Sequence, residues 1–147
     1  MMRTTLRLLV LLAVGTACLP AATAAEPAAK TEARANRLVI QVNEDDAKKW
    51  NAVITNVHNV QVELGKDNVE IEIVAHGPGI GMLKADSLVA NRVGDAMADG
   101  VRFVACGNTM AALKLTKDDM IDGIDYAKAG IVRLMQRQQQ GWSYIRP

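Results

Sequence analysis

The chain has 147 residues, 50% of them hydrophobic, with 17 Lys and Arg against 16 Asp and Glu. A net charge of +1 with dispersed basic residues lacks the electrostatic footprint of a nucleic-acid-binding protein, so no nucleic-acid partner is expected. Two cysteines and two histidines at unrelated spacings make no metal-site pattern, and neither a metal nor a cofactor is expected.

The chain opens like a secretory signal peptide. Arg3 and Arg7 form a short basic start, Leu8 to Val14 is an unbroken apolar run, and Ala22-Thr23-Ala24 supplies an A-x-A cleavage site. That run is far short of the roughly 20 apolar residues a membrane span requires, so no transmembrane segment is expected. Cys18, after Gly15-Thr16-Ala17, leaves a lipidated N-terminus as the alternative, although Gly15 stands where lipidation signals usually carry an aliphatic residue.

The organisation expected is a signal peptide over 1–25, a flexible Ala-, Lys- and Glu-rich leader over 26–36, and a domain over 37–147 in an exported, periplasmic or secreted protein. Cleavage removes Arg3 and Arg7, so 15 basic residues face 16 acidic ones and the net charge becomes −1. Cys18 leaves too. Cys106 then stands alone, which rules out an intramolecular disulfide and makes the thiol either well buried or kept for use.

From Arg37 the pattern alternates between strand and helix. "RLVIQVN" is a β-branched run ending at Asn43, a candidate helix cap followed by Glu44, Asp45 and Asp46, where a helix N-terminus favours negative charge. Ala47, Trp50, Val53, Ile54, Val57, Val60 and Leu64 recur at three- and four-residue spacings, predicting a helix that Gly65 ends. "NVEIEIVAHG" predicts a second strand stopped by "GPG". Met82 to Ala98 reads as one helix with Leu83, Leu88, Val89, Val93, Ala96 and Met97 inward, closed by Asp99-Gly100.

"VRFVAC" predicts the third strand. Asn108 or Thr109 can cap a short helix after it, and Thr116 with Asp119 forms a capping-box-like start for another turn. "GIDYA" predicts a fourth strand, Ala129 to Gln140 a helix carrying Ile131, Val132, Leu134 and Met135, and "WSYI" a short fifth strand. Alternation at this spacing implies right-handed crossovers. The expected fold class is α/β: a single three-layer domain with a mostly parallel, about five-stranded sheet and helices on both faces.

Ligands in such sheets sit beyond the carboxyl ends of the strands, and three segments arrive there: the acidic turn after Val42, "AHGPGIG" and "ACGNT". Cys106 is the candidate catalytic residue, because the amides of Gly107, Asn108 and Thr109 begin the next helix and a helix N-terminus stabilises thiolate. The opposing reading is a buried structural cysteine, as free Cys is among the most buried residue types. His76, Gly77, Gly79, Gly107, Asn108 and Thr109 are the candidate binding residues. His76 can orient a thiolate or simply face solvent, and the glycines of "HGPGIGM" depart from a dinucleotide loop and suit a tight turn.

The segments "VAHGPGIGML", "VRFVACGNTM" and "AGIVRLMQRQQQGWSYIRP", in that order, resemble the DsrE/DsrF-like group of small sulfur-relay proteins, in particular members carrying export signals. The resemblance runs from Arg37 to Pro147. It implies a small α/β fold with a parallel sheet, homo-oligomers such as trimers or hexamers, and, in some members, a cysteine carrying sulfur as a persulfide, matched here by Cys106. It also implies a thiol-bearing donor or acceptor protein as partner. The export signal departs from the cytoplasmic relays. Two functional classes follow: a sulfur carrier working through Cys106, and a noncatalytic oligomeric small-ligand-binding module in which Cys106 only lines the site.

Overall fold

The computed structural model describes residues 36–147, so the expected signal peptide, Cys18 and all but the last residue of the expected leader lie outside the described residues. The elements are β1 (Asn36–Val42), α1 (Ala47–Leu64), β2 (Val69–Ala75), α2 (Ala90–Ala98), β3 (Arg102–Cys106), α3 (Gly107–Ala112), β4 (Asp125–Ala127), α4 (Gly130–Gln139) and β5 (Ser143–Ile145). All five strands are parallel, in the order β4-β3-β2-β1-β5. The expected α/β sheet is therefore present, starting one residue earlier than the sequence pattern set it.

The strand order explains how the helices divide between the faces. Stepping from β1 through β4 moves the chain one way across the sheet, and right-handed crossovers keep those connections on one side. The return from β4 to β5 reverses direction, so α4 lands on the opposite face. On the first face Leu38, Ile40, Ile71, Ile73 and Phe103 pack against Trp50, Val53, Ile54 and Val57 of α1 and Val93 and Ala96 of α2. On the second face Val39, Val74 and Val104 meet Leu134 of α4 and Trp142.

Three local expectations change. Asp46, rather than Asn43, caps α1, its carboxylate accepting from the Lys48 and Lys49 amides at 2.8 and 3.3 Å. The single helix expected over Met82 to Ala98 is instead a 3-10 turn over Gly77–Leu83, a non-helical link, and α2. Backbone pairing interrupts it: the Ala85 amide donates to Asp119 O and the Ile121 amide to Leu83 O, both at 2.9 Å, with Lys84 bridged antiparallel to Met120. Leu88, expected inward, is consequently 87% exposed. The third change is at α3, whose N-cap is Cys106 itself; Asn108 and Thr109 lie inside its first turn.

Other local signals agree. Thr116 and Asp119 make the expected capping box. In α4 only Leu134 of the four expected apolar residues is buried, while Ile131, Val132 and Met135 face outward. Among the described residues no helix is long and apolar enough to cross a membrane, and no cluster of three His, Cys, Asp or Glu could hold a metal ion.

Candidate functional site

Cys106 closes β3 and is 5% exposed. Two helices begin around its sulfur. It is the N-cap of α3, and the Gly130 amide at the start of ten-residue α4 donates to Sγ at 3.2 Å. Ala129, the N-cap of α4, has no side chain able to cap, so the cysteine sulfur takes that place and meets the positive end of the helix. Burial alone would push the Cys106 thiol up. The Thr109 hydroxyl and the amides of Gly130, Thr109 and Asn108 outweigh it, and the thiol lies below its ordinary range.

The glycine turn is wired into this arrangement. Gly77 donates its amide to Thr109 Oγ1 at 2.9 Å, leaving the hydroxyl proton free to point at Sγ. The Asn108 amide donates to Lys128 O at 3.0 Å, and Gly107 begins α3 beneath the carbonyl of Ala127. Gly79 serves packing: a Cβ there would come 2.5 Å from the Val42 carbonyl oxygen, so only glycine lets the turn close on the end of β1. Gly79 thus faces the backbone of Val42 and Asn43.

His76 follows β2 and hydrogen-bonds its amide to Val42 O at 3.0 Å. Its ring is partly buried, and Nε2 has no hydrogen-bond partner among the described residues. Burial, with the nearby positive charge of Arg146, lowers its pKa and favours the neutral ring. Gly130 joins the two residues. A Cβ at that position would sit 3.2 Å from both the Cys106 and His76 Cβ atoms, so its absence lets α4 start against the thiol. Beside them an open groove of about 470 Å³ runs between β4 and α4, bordered by Asn108, Tyr126, Lys128, Val132, Arg133 and Gln136.

Sequence reasoning placed Cys106, Thr109 and His76 at one edge and missed Gly130, 24 residues away from the sulfur it touches. It also missed Glu72. That carboxylate is fully buried in β2, bound by Arg133 at 2.7 and 2.8 Å and by Arg137 at 2.6 and 3.1 Å, with Arg102 at 3.5 Å. Burial alone would raise its pKa, but the two α4 arginines hold it at about 2. Arg137 also stacks 4.4 Å over Trp142. The readable signal was an acid inside "EIEIVA" together with arginines four apart on a helix.

This fold and site define a class: small parallel α/β domains that present one cysteine to helix N-termini at the sheet's carboxyl edge. The chain belongs to the DsrE/DsrF-like family, whose model matches residues 21–147. It is similar to MTH1491 of Methanobacterium thermoautotrophicum, a protein of unknown function. The two share 38% identity over 76% of this chain and 99% of that one, with a TM-score of 0.73. BT1422 of Bacteroides thetaiotaomicron, also of unknown function, shares the fold at a TM-score of 0.63 and 14% identity, over 76% of this chain and 95% of that one. No curated protein matches the chain.

Proposed function

We propose that the protein carries sulfane sulfur on Cys106 and relays it to a partner thiol. In loading, the Cys106 thiolate attacks the outer sulfur of a donor persulfide. A new S–S bond forms, the donor's S–S bond breaks, and the donor leaves as thiolate with the bonding pair. In unloading, an acceptor thiolate attacks the outer sulfur of Cys106–S–SH and Cys106 departs as thiolate. The reading rests on one observation: the sulfur stands where a cap would, receiving the Gly130 amide of α4. Thr109, Gly107 and Asn108 shape the receiving turn, His76 flanks it, and family membership supports the sulfur chemistry.

The signal-like first 25 residues support export to a periplasmic or extracellular compartment, where the carrier would meet a thiol-bearing donor or acceptor protein. The outward Ile131, Val132 and Met135 of α4, with Tyr126 across the groove, support a homo-oligomer, which the family resemblance makes a trimer or hexamer. A noncatalytic binding module of the same fold is favoured by the small exposure of Cys106.

Alkylation of the native protein across pH separates the two. A carrier thiol reacts near neutral pH, with a midpoint below that of a free cysteine, because the Thr109 hydroxyl and the helix amides favour the thiolate. Polysulfide treatment then adds about 32 Da per sulfur, and Cys106→Ser does neither while remaining folded. A thiol that resists alkylation until denaturation overturns the carrier and leaves the binding module.

A further inference from the structure

The C-terminal strand brings a second functional group to the edge where Cys106 lies. β5 pairs with β1 so that Ile145 stands beside Ile40, and the end of β1 pairs with the end of β2, Val42 beside Ala75. Arg146, one residue further on, therefore reaches the carboxyl edge of the sheet next to the β1 and β2 ends. It is held there. Its Nη2 lies 3.2 Å from Glu44 Oε1, while Lys49 pairs with the other oxygen, so one carboxylate meets two cations. The Arg146 side chain remains 49% exposed, and its charge, second to burial, helps lower the pKa of the His76 ring.

His76 supplies the second observation. Its Nε2 is buried and unpartnered among the described residues, and a buried polar atom of that kind calls for a partner that those residues do not provide. His76 and Cys106 flank Gly130, each Cβ 3.2 Å from where a Cβ would stand there, so a molecule reaching the sulfur lies near the unpartnered nitrogen, with the steadied positive charge of Arg146 further along the same edge.

We propose that Arg146, anchored by Glu44, is the specificity-determining residue that selects anionic sulfane-sulfur donors such as thiosulfate for Cys106, with His76 Nε2 donating to the bound anion. The inference rests on the sulfur-carrier reading. With thiosulfate, the Cys106 thiolate attacks the outer sulfur, forming a Cys–S–S⁻ persulfide. The thiosulfate S–S bond breaks and sulfite leaves with the bonding pair, three negative charges standing on each side.

Two alkylating agents differing in charge test the residue without requiring a sulfur donor. Both transfer a carbon to the thiolate and release iodide; iodoacetate is anionic and iodoacetamide neutral. In the chain from residue 26 onward, which carries Cys106 alone, Arg146→Gln is expected to lower the iodoacetate-to-iodoacetamide rate ratio about fivefold at low salt, and Arg146→Lys to restore most of it. Loading from thiosulfate, read as a mass gain of about 32 Da, should slow by a similar factor in Arg146→Gln. A ratio unchanged by Arg146→Gln overturns the selection while the carrier reading stands. A native Cys106 that reacts with neither agent removes the carrier reading and the inference with it.

Discussion

The two faces of the sheet are built on different physics. The face under α1 and α2 is a continuous apolar core around Phe103, Ile71 and Ile73, all at most 2% exposed. The face under α4 has a small apolar patch, then a carboxylate clamped by two arginines at one end and the Cys106–Gly130 contact at the other. A single helix spans both. The first face holds the chain together through area removed from water. The second fixes α4 through directional bonds, and that orientation delivers the Gly130 amide to the sulfur.

The comparison breaks most visibly in acid. Phe103→Ala should cost about 4 kcal/mol in urea unfolding, with little dependence on pH. Glu72→Gln should cost about 3 kcal/mol at neutral pH, because removing the fully buried carboxylate leaves the partly buried guanidinium groups of Arg133 and Arg137 uncompensated. The folded pKa of Glu72, about 2, lies below its ordinary value of 4.5, so its stabilisation is present above 4.5 and lost as pH falls toward 2. The gap between wild type and Glu72→Gln should therefore close over that window, while the Phe103→Ala gap persists. A Glu72→Gln gap that stayed constant down to pH 2 would contradict the clamp.

Gly130→Ala sharpens the comparison at the other end of α4. The added methyl would press on the Cβ atoms of Cys106 and His76, each 3.2 Å away, and should cost about 1–2 kcal/mol as α4 shifts. The shift draws the amide from Sγ. The alkylation midpoint of Cys106 should accordingly rise, since a hydrogen bond favouring thiolate is weakened. An unchanged midpoint would mean that the α4 amide contributes nothing to the thiol.

The smallest effect on folding belongs to the outer side of α4. Val132→Asp should change the stability of the isolated fold by less than about 0.5 kcal/mol, as the residue is already 44% exposed. In the proposed homo-oligomer a charge would then be buried between copies, so light scattering should show a shift toward single chains. An assembly that ignores the substitution places the contact elsewhere.

Much of this was legible along the chain. Strands and helices followed their short periods, and even the thin "GIDYA" and "WSYI" signals mark real strands. Met82 to Ala98 misled because its helical spacing is genuine, yet the Leu83 and Ala85 backbone groups find partners at Asp119 and Ile121. Such competition is invisible locally. Glu72 went unremarked for the opposite reason: an acid within "VEIEIVA" looks like the polar side of a half-solvated strand, and only a helix arriving some 60 residues later, with Arg133 and Arg137, makes that face an interior.

By itself the sequence determined the α/β class, the order of the elements and the place of Cys106 at the end of a strand before a helix, because those follow from hydrophobic periods and capping residues within a few positions of one another. The tertiary structure decided which helix amide reaches the sulfur, that Arg146 and His76 share its edge, and that Glu72 is buried and paired. Those relations join residues between 24 and 65 positions apart, or through three paired strands, and they depend on the reversal between β4 and β5 that carries α4 to the second face.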